Sequence, residues 1–211
     1  MVVGVSATSA QKKPLPKKLP SAEKIVDNYL KAIGGKKAVA AINDATYDYI
    51  VQVNDSPVGT ARLKRKYPGS ERLELLFGNG SITSATSSSS AWEVGLDNKL
   101  RTLTGPESTN AKFAGLLNAS RLLNFKKLNV LARPVSLGDL ALEPAYIVEF
   151  STRSGARLQY YFSVQTALIT KVTDDVQKSR TLFEDYRVEK GILEPHRIRV
   201  KRGDGDLTFL L

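Results

Sequence analysis

The chain has 211 residues, 42% of them hydrophobic, enough to bury one sizeable core and too many for a disordered polymer. It contains no cysteine, which excludes a disulfide framework, a thiolate metal site, a thiol nucleophile and a lipid anchor on cysteine. Thirty-one Lys and Arg against 21 Asp and Glu leave a formal charge of +10, favouring anionic surfaces such as phospholipid headgroups.

Residues 1–10 (MVVGVSATSA) run from apolar to small and end in Ala before a polar stretch. That pattern reads as the remnant of a signal peptide and predicts an exported, periplasmic protein. Residues 11–20 form an extended basic linker, because Pro14, Pro16 and Pro20 lack amide donors and bias their predecessors away from helix. A single domain over residues 21–211 is expected after this leader and linker. No apolar run approaches the ~18 residues of a membrane-spanning helix.

Ser21 can cap a helix in which Ile25, Val26, Tyr29, Leu30 and Ile33 recur at helical spacing, with Gly34 and Gly35 as its left-handed stop. A shorter helix over residues 36–42 follows. From Ala45 the period changes to two. Tyr47, Tyr49, Val51 and Val53 alternate with polar residues up to a turn at residues 54–57. The return strand, residues 58–67, shows Arg62, Lys64 and Lys66 on one face and Ala61 and Leu63 on the other. Residues 71–77 repeat the scheme with Leu73, Leu75 and Phe77 inward.

Residues 81–90 are Ser/Thr-rich, and residues 87–90 are expected as a mobile loop. A short strand carries Trp92, the only tryptophan, and another covers residues 100–103. Between residues 106 and 125 helical spacing returns, with Phe113, Leu116, Leu117, Leu122 and Leu123 as a stripe that Gly115 weakens by ~1 kcal/mol relative to Ala. Strands are then expected over residues 128–133, 136–143, 145–152, 157–164 and 167–174. A last hairpin joins residues 182–188 to 192–202, and LTFLL closes the chain as a strand. The fold class is α+β, a curved antiparallel sheet with helices on its concave face.

Three segments resemble the bacterial outer-membrane lipoprotein-sorting family, the LolA-like proteins: SAEKIVDNYLKAIGGKKAV, YYFSVQTALITKV and FEDYRVEKGILEPHRIRV. The resemblance spans residues 21–211 and implies an incomplete β-barrel whose helices cover an apolar cavity. It further implies a non-enzymatic carrier or sensor of lipid, acyl chains or lipoprotein, without cofactor or metal. A further strand and polar tail after LTFLL would be expected from the family, so either an open sheet edge or a truncated chain is anticipated there.

The residues themselves offer little catalysis. His196 is the only histidine and shares strand parity with Ile198 and Val200, which places it near the core or rim. Asp174, Asp175, Asp204 and Asp206 read as turn residues, and no GxSxG elbow or phosphate loop is present. Asp185 is expected to pair with the strand bearing Arg197 and Arg199. The aromatic set Tyr47, Tyr49, Phe77, Trp92, Tyr160, Phe162 and Tyr186 is either ordinary sheet core or the lining of a cavity. Val51, Leu75, Phe113 and Leu117 would complete that lining. A carrier of acyl chains is expected on the second reading, and an envelope interaction module with a filled core on the first. Basic residues are spread over strands without a recognition helix, so nucleic acid is not an expected partner.

Overall fold

A computed structural model describes residues 18–140 and 143–211, with side chains described except at 139 and 140. The leader reading of residues 1–10 and the linker over residues 11–17 lie outside the described residues.

Helix α1 (Ala22–Ala32) starts where Ser21 Oγ accepts the Lys24 amide, and its buried face is Ile25, Val26, Tyr29 and Leu30. It stops at Gly34, whose φ of +126° suits glycine. A Cβ at Gly34 would also lie 2.7 Å from the Gly191 carbonyl, because the helix end is pressed against the turn at residues 190–191. Ile33 O accepts the Leu193 amide there at 2.9 Å. Helix α2 (Lys36–Ala40) ends two residues before the expected Ile42.

The strands are β1 (Asp44–Val53), β2 (Ser56–Lys66), β3 (Ser70–Phe77), β4 (Gly80–Thr86), β5 (Ala91–Val94) and β6 (Leu100–Thr102). After helix α3 (Gly105–Ser120) and a 3-10 turn (Phe125–Leu128) come β7 (Leu131–Leu140), β8 (Glu143–Ser151), β9 (Arg157–Ser163), β10 (Ile169–Asp174), β11 (Ser179–Glu189), β12 (Ile192–Arg202) and β13 (Gly205–Leu210). They form one 13-stranded antiparallel sheet in the order β6-β5-β4-β3-β2-β1-β13-β12-β11-β10-β9-β8-β7. Twist accumulated over so many strands curls the sheet around α1 and α3. Its edges, β6 and β7, do not pair, so the barrel is incomplete.

Several expectations are corrected. The two strands expected over residues 128–133 and 136–143 are one strand, β7, with a register shift between Pro134 and Ser136, and Leu128 belongs to the 3-10 turn. Residues 87–90 form a compact turn, in which Ser87 Oγ accepts the amides of Ser89 and Ser90. The anticipated open edge at LTFLL is absent. Strand β13 lies mid-sheet, pairing Phe209 with Val51 on one side and with Ile198 on the other. Gly115 lies in α3 where the helix approaches β4, and a Cβ there would meet Thr86 Oγ1 at 2.3 Å.

Two apolar clusters fill the concavity. In the first, α1 and α3 pack on β8–β10, centred on Phe150, Phe162 and Val148. Phe150 sits between Phe125 and Tyr160, edge-on to both at 5.8 and 5.1 Å between ring centroids. The second cluster, Tyr47, Tyr49, Val51, Ala61, Leu63, Leu75 and Phe209, belongs to β1–β3 and β13 and includes no helical residue.

Candidate functional site

Strand β13 ends opposite Ile50 of β1 and Arg197 of β12. Beyond it the first half of β1 and the first residues of β12 diverge. A slot of about 600 Å³ opens between them, lined by residues 43–47, Ile192, Glu194, His196 and Leu211. His196 is thus a rim residue, its Nε2 3.0 Å from Glu189 Oε1 but out of line for a hydrogen bond.

A buried polar junction closes the floor of this slot. Arg121 follows α3 in the left-handed conformation (φ 50°), as does Leu122 (φ 61°), and such backbone is held only where surroundings over-determine it. Here the Arg121 guanidinium donates to Tyr47 Oη at 2.6 Å and to Glu194 Oε1 at 3.0 Å, while Tyr47 Oη donates to the same carboxylate at 2.6 Å. Burial, with the Glu194 carboxylate adding to it, pushes the Tyr47 phenol up to about 12.

Behind the junction lies an inner cavity of two lobes. The smaller, about 60 Å³, is walled by Tyr29, Tyr160, Tyr186, Leu117, Arg121 and Glu194. A larger one of about 210 Å³ runs under α3 toward Leu73, Val172, Val200 and Phe209. Tyr49, Arg65, Tyr160, Phe183 and Ile198 wall both lobes. Arg121 and Glu194 line the slot and the smaller lobe alike, so the junction is the partition between them.

Arg65 is the cation that both lobes share. Its Nε donates to Glu71 Oε2 at 2.7 Å, and its guanidinium lies 5.7 Å from the Tyr47 ring centroid. Burial opposes this charge, yet Glu71 together with the Tyr47 and Tyr49 phenols outweighs the penalty and holds the guanidinium above its ordinary pKa. Asp174, at the far end, accepts from Asn110 Nδ2 and from the amides of Val176 and Gln177, which makes it a turn-capping group.

The structure separates the expected lining residues into groups. Tyr49, Leu117, Tyr160 and Tyr186 do wall the inner cavity, whereas Tyr47 belongs to the partition. Val51, Leu75 and Phe77 pack in the second apolar cluster, and Phe113 and Phe162 in the first; none of these reaches the cavity surface. Trp92 is corrected outright. Its neighbour Ala91 pairs with Thr86 on the helix-facing side and is buried, so Trp92 points to the convex face beneath the Arg72 guanidinium. Asp185 is corrected too: it pairs with Arg187 of its own strand, and Glu184 takes Arg199. The left-handed Asp185 (φ 54°) breaks the alternation of β11, so that Phe183 and Tyr186, an odd number of residues apart, both reach the cavity.

Arg65, Glu71, Arg121 and Glu194 are site residues not anticipated from the sequence. For Arg65 and Glu71 the signal was present, since each lies two residues from an inward leucine, Leu63 and Leu73.

No family model and no curated protein matches the sequence. Among solved structures, a LolA superfamily protein from Nitrosomonas europaea aligns over 91% of both chains with a TM-score of 0.54 at 11% identity. The chain has a LolA-like fold. A DUF1329 family protein from Desulfovibrio piger aligns over 89% of both chains, with a TM-score of 0.51 at 14% identity. The open sheet and the covering helices of this LolA-like chain are thus features of a known architecture.

Proposed function

We propose that the chain is a non-enzymatic carrier or sensor of the cell envelope that encloses an acyl chain between sheet and helices. The observation that carries this is an apolar cavity under α3 divided from an open slot by a single polar junction. Ligand sites commonly occupy ~300–1,000 Å³. The slot is already that large and neither inner lobe is, so withdrawal of Arg121, which joins the smaller lobe to the slot, converts a closed form into one that admits a chain to the interior. Each buried CH₂ contributes ~0.8 kcal/mol, enough for a medium-length chain to offset that opening. The strained backbone at Arg121 and Leu122 is the natural hinge.

Within this function, residues 1–20 are a leader and linker, residues 21–211 the carrier domain, and the compartment is the periplasm. The charge of +10 suits delivery at an anionic membrane surface. Organic extraction of the purified protein followed by mass spectrometry, together with displacement of a fluorescent fatty acid, tests the carrier function. Co-purified lipid or saturable displacement is expected; protein that is empty and displaces nothing counts against it. In that event the small inner volume favours the other function, an envelope interaction module with a filled core.

A further inference from the structure

The walls of the inner cavity hold more hydrogen-bond donors than the protein uses. Tyr186 Oη donates to the Ile169 carbonyl, and Tyr47 Oη to Glu194. The hydroxyls of Tyr29, Tyr49 and Tyr160, on residues only 8%, 5% and 4% exposed, have no protein partner among the described residues, nor are they sealed in solid core. All three rings wall the smaller lobe, on α1, β1 and β9, and Arg65 joins them with its Nη groups uncommitted to any acceptor among the described residues. Hydroxyls that face a cavity rather than packed core take their partners from water or from a bound acceptor, so three at one place beside Arg65 mark a site that a ligand acceptor can complete.

The charges decide which acceptor. Arg65 is already neutralised by Glu71, and Arg121 by Glu194, while Asp174 adds a further carboxylate to the larger lobe. An entering carboxylate would find no unpaired cation, and burying an uncompensated anion is expensive. A carbonyl oxygen accepts from the same phenols and guanidinium without adding charge.

We infer that the cavity selects uncharged acyl derivatives, esters or amides of long-chain acids, through the Tyr29, Tyr49, Tyr160 and Arg65 donors, and that Glu71 excludes free acids. This rests on the carrier function proposed above and names its ligand class.

Displacement of the uncharged fluorophore N-phenylnaphthylamine by methyl dodecanoate and by dodecanoic acid at neutral pH tests it. The ester should displace the probe at about one-tenth the concentration of the acid, the ratio expected of one charge-assisted interaction. Glu71→Gln keeps an acceptor for Arg65 Nε but frees its charge, and should bring the acid level with the ester or ahead of it. Tyr49→Phe combined with Tyr160→Phe should weaken the ester at least threefold while leaving decane, which has no acceptor, unchanged; circular dichroism melts confirm that each variant folds.

Equal displacement by ester and acid, unaltered in Glu71→Gln, would overturn the selectivity and leave the carrier function standing, with the donors serving water only. Failure of the probe and both ligands to bind would remove the carrier function and this inference together.

Discussion

The two halves of the concavity are built from the same strand chemistry and end differently. On β8–β10, α1 and α3 press Leu30, Phe113 and Leu117 into the sheet, and Val148 and Phe150 are left with 0% exposure. On β1–β3, β12 and β13, α3 reaches only the β2–β4 side, no helical residue joins the apolar cluster, and Tyr49, Leu63 and Phe209 face a hollow beneath the helix. Close packing of helical side chains onto the sheet, rather than strand composition, separates core from cavity. The aromatic residues illustrate this: Tyr160 and Phe162 are neighbours on one strand face, and only Tyr160 walls the cavity, while Phe162 packs against Tyr29 of α1.

The contrast can be broken most severely on the filled side. Phe150→Ala should lower stability by about 4 kcal/mol in denaturant titrations, because its aromatic neighbours cannot collapse into the void. At the partition, Arg121→Met should cost about 3 kcal/mol by stranding the Glu194 carboxylate, yet speed the uptake of a fluorescent lipid measured by stopped flow. A destabilised variant whose uptake is no faster would show that the junction is not the barrier.

Alkali probes the same junction. The Tyr47 phenol is raised from its ordinary 10.0 to about 12, so an unfolded chain loses this proton first as pH rises. Stability from the neutral phenol is whole below pH 10 and is lost as pH climbs toward 12, which melting temperatures across that window should show. Burial also raises Tyr29, Tyr49 and Tyr160, whose loss has the same sign.

On the hollow side, Val200→Phe should change stability by no more than about 1 kcal/mol, since the new ring enters existing space, while abolishing lipid displacement. A ligand that still binds would have to lie elsewhere. The smallest effect belongs to Glu23. A hydrogen bond from Lys126 draws its carboxyl down to about 2, so its contribution is present above pH 4.5 and disappears as pH falls toward 2. Both partners are half exposed and screened, so Glu23→Gln should cost a few tenths of a kcal/mol in a thermal melt at neutral pH.

Hairpins and helices were legible because their signals are local. Ser21 and Gly34 bracket α1, Asn54-Asp55 turns β1 into β2 with φ values of 49° and 60°, and the period of two through Tyr47, Tyr49 and Val51 names an inward face. Trp92 was misplaced because a four-residue strand has too few alternations to declare its face, and the deciding contact is the pairing of Ala91 with Thr86. Asp185 defeats the period outright by turning left-handed inside a strand.

Composition and periodicity by themselves determined an antiparallel sheet with apolar and basic faces and two helices to cover one of them, because alternation and capping act over a few residues. Only the tertiary structure decided that β13 stops short between β1 and β12, that Arg121 finds Tyr47 and Glu194, and that donors from α1, β1, β2 and β9 meet in one hollow. Those relations join residues far apart in the chain, 74 positions for Arg121 with Tyr47 and 147 for Tyr47 with Glu194, and such contacts depend on how a twisted sheet closes around its helices.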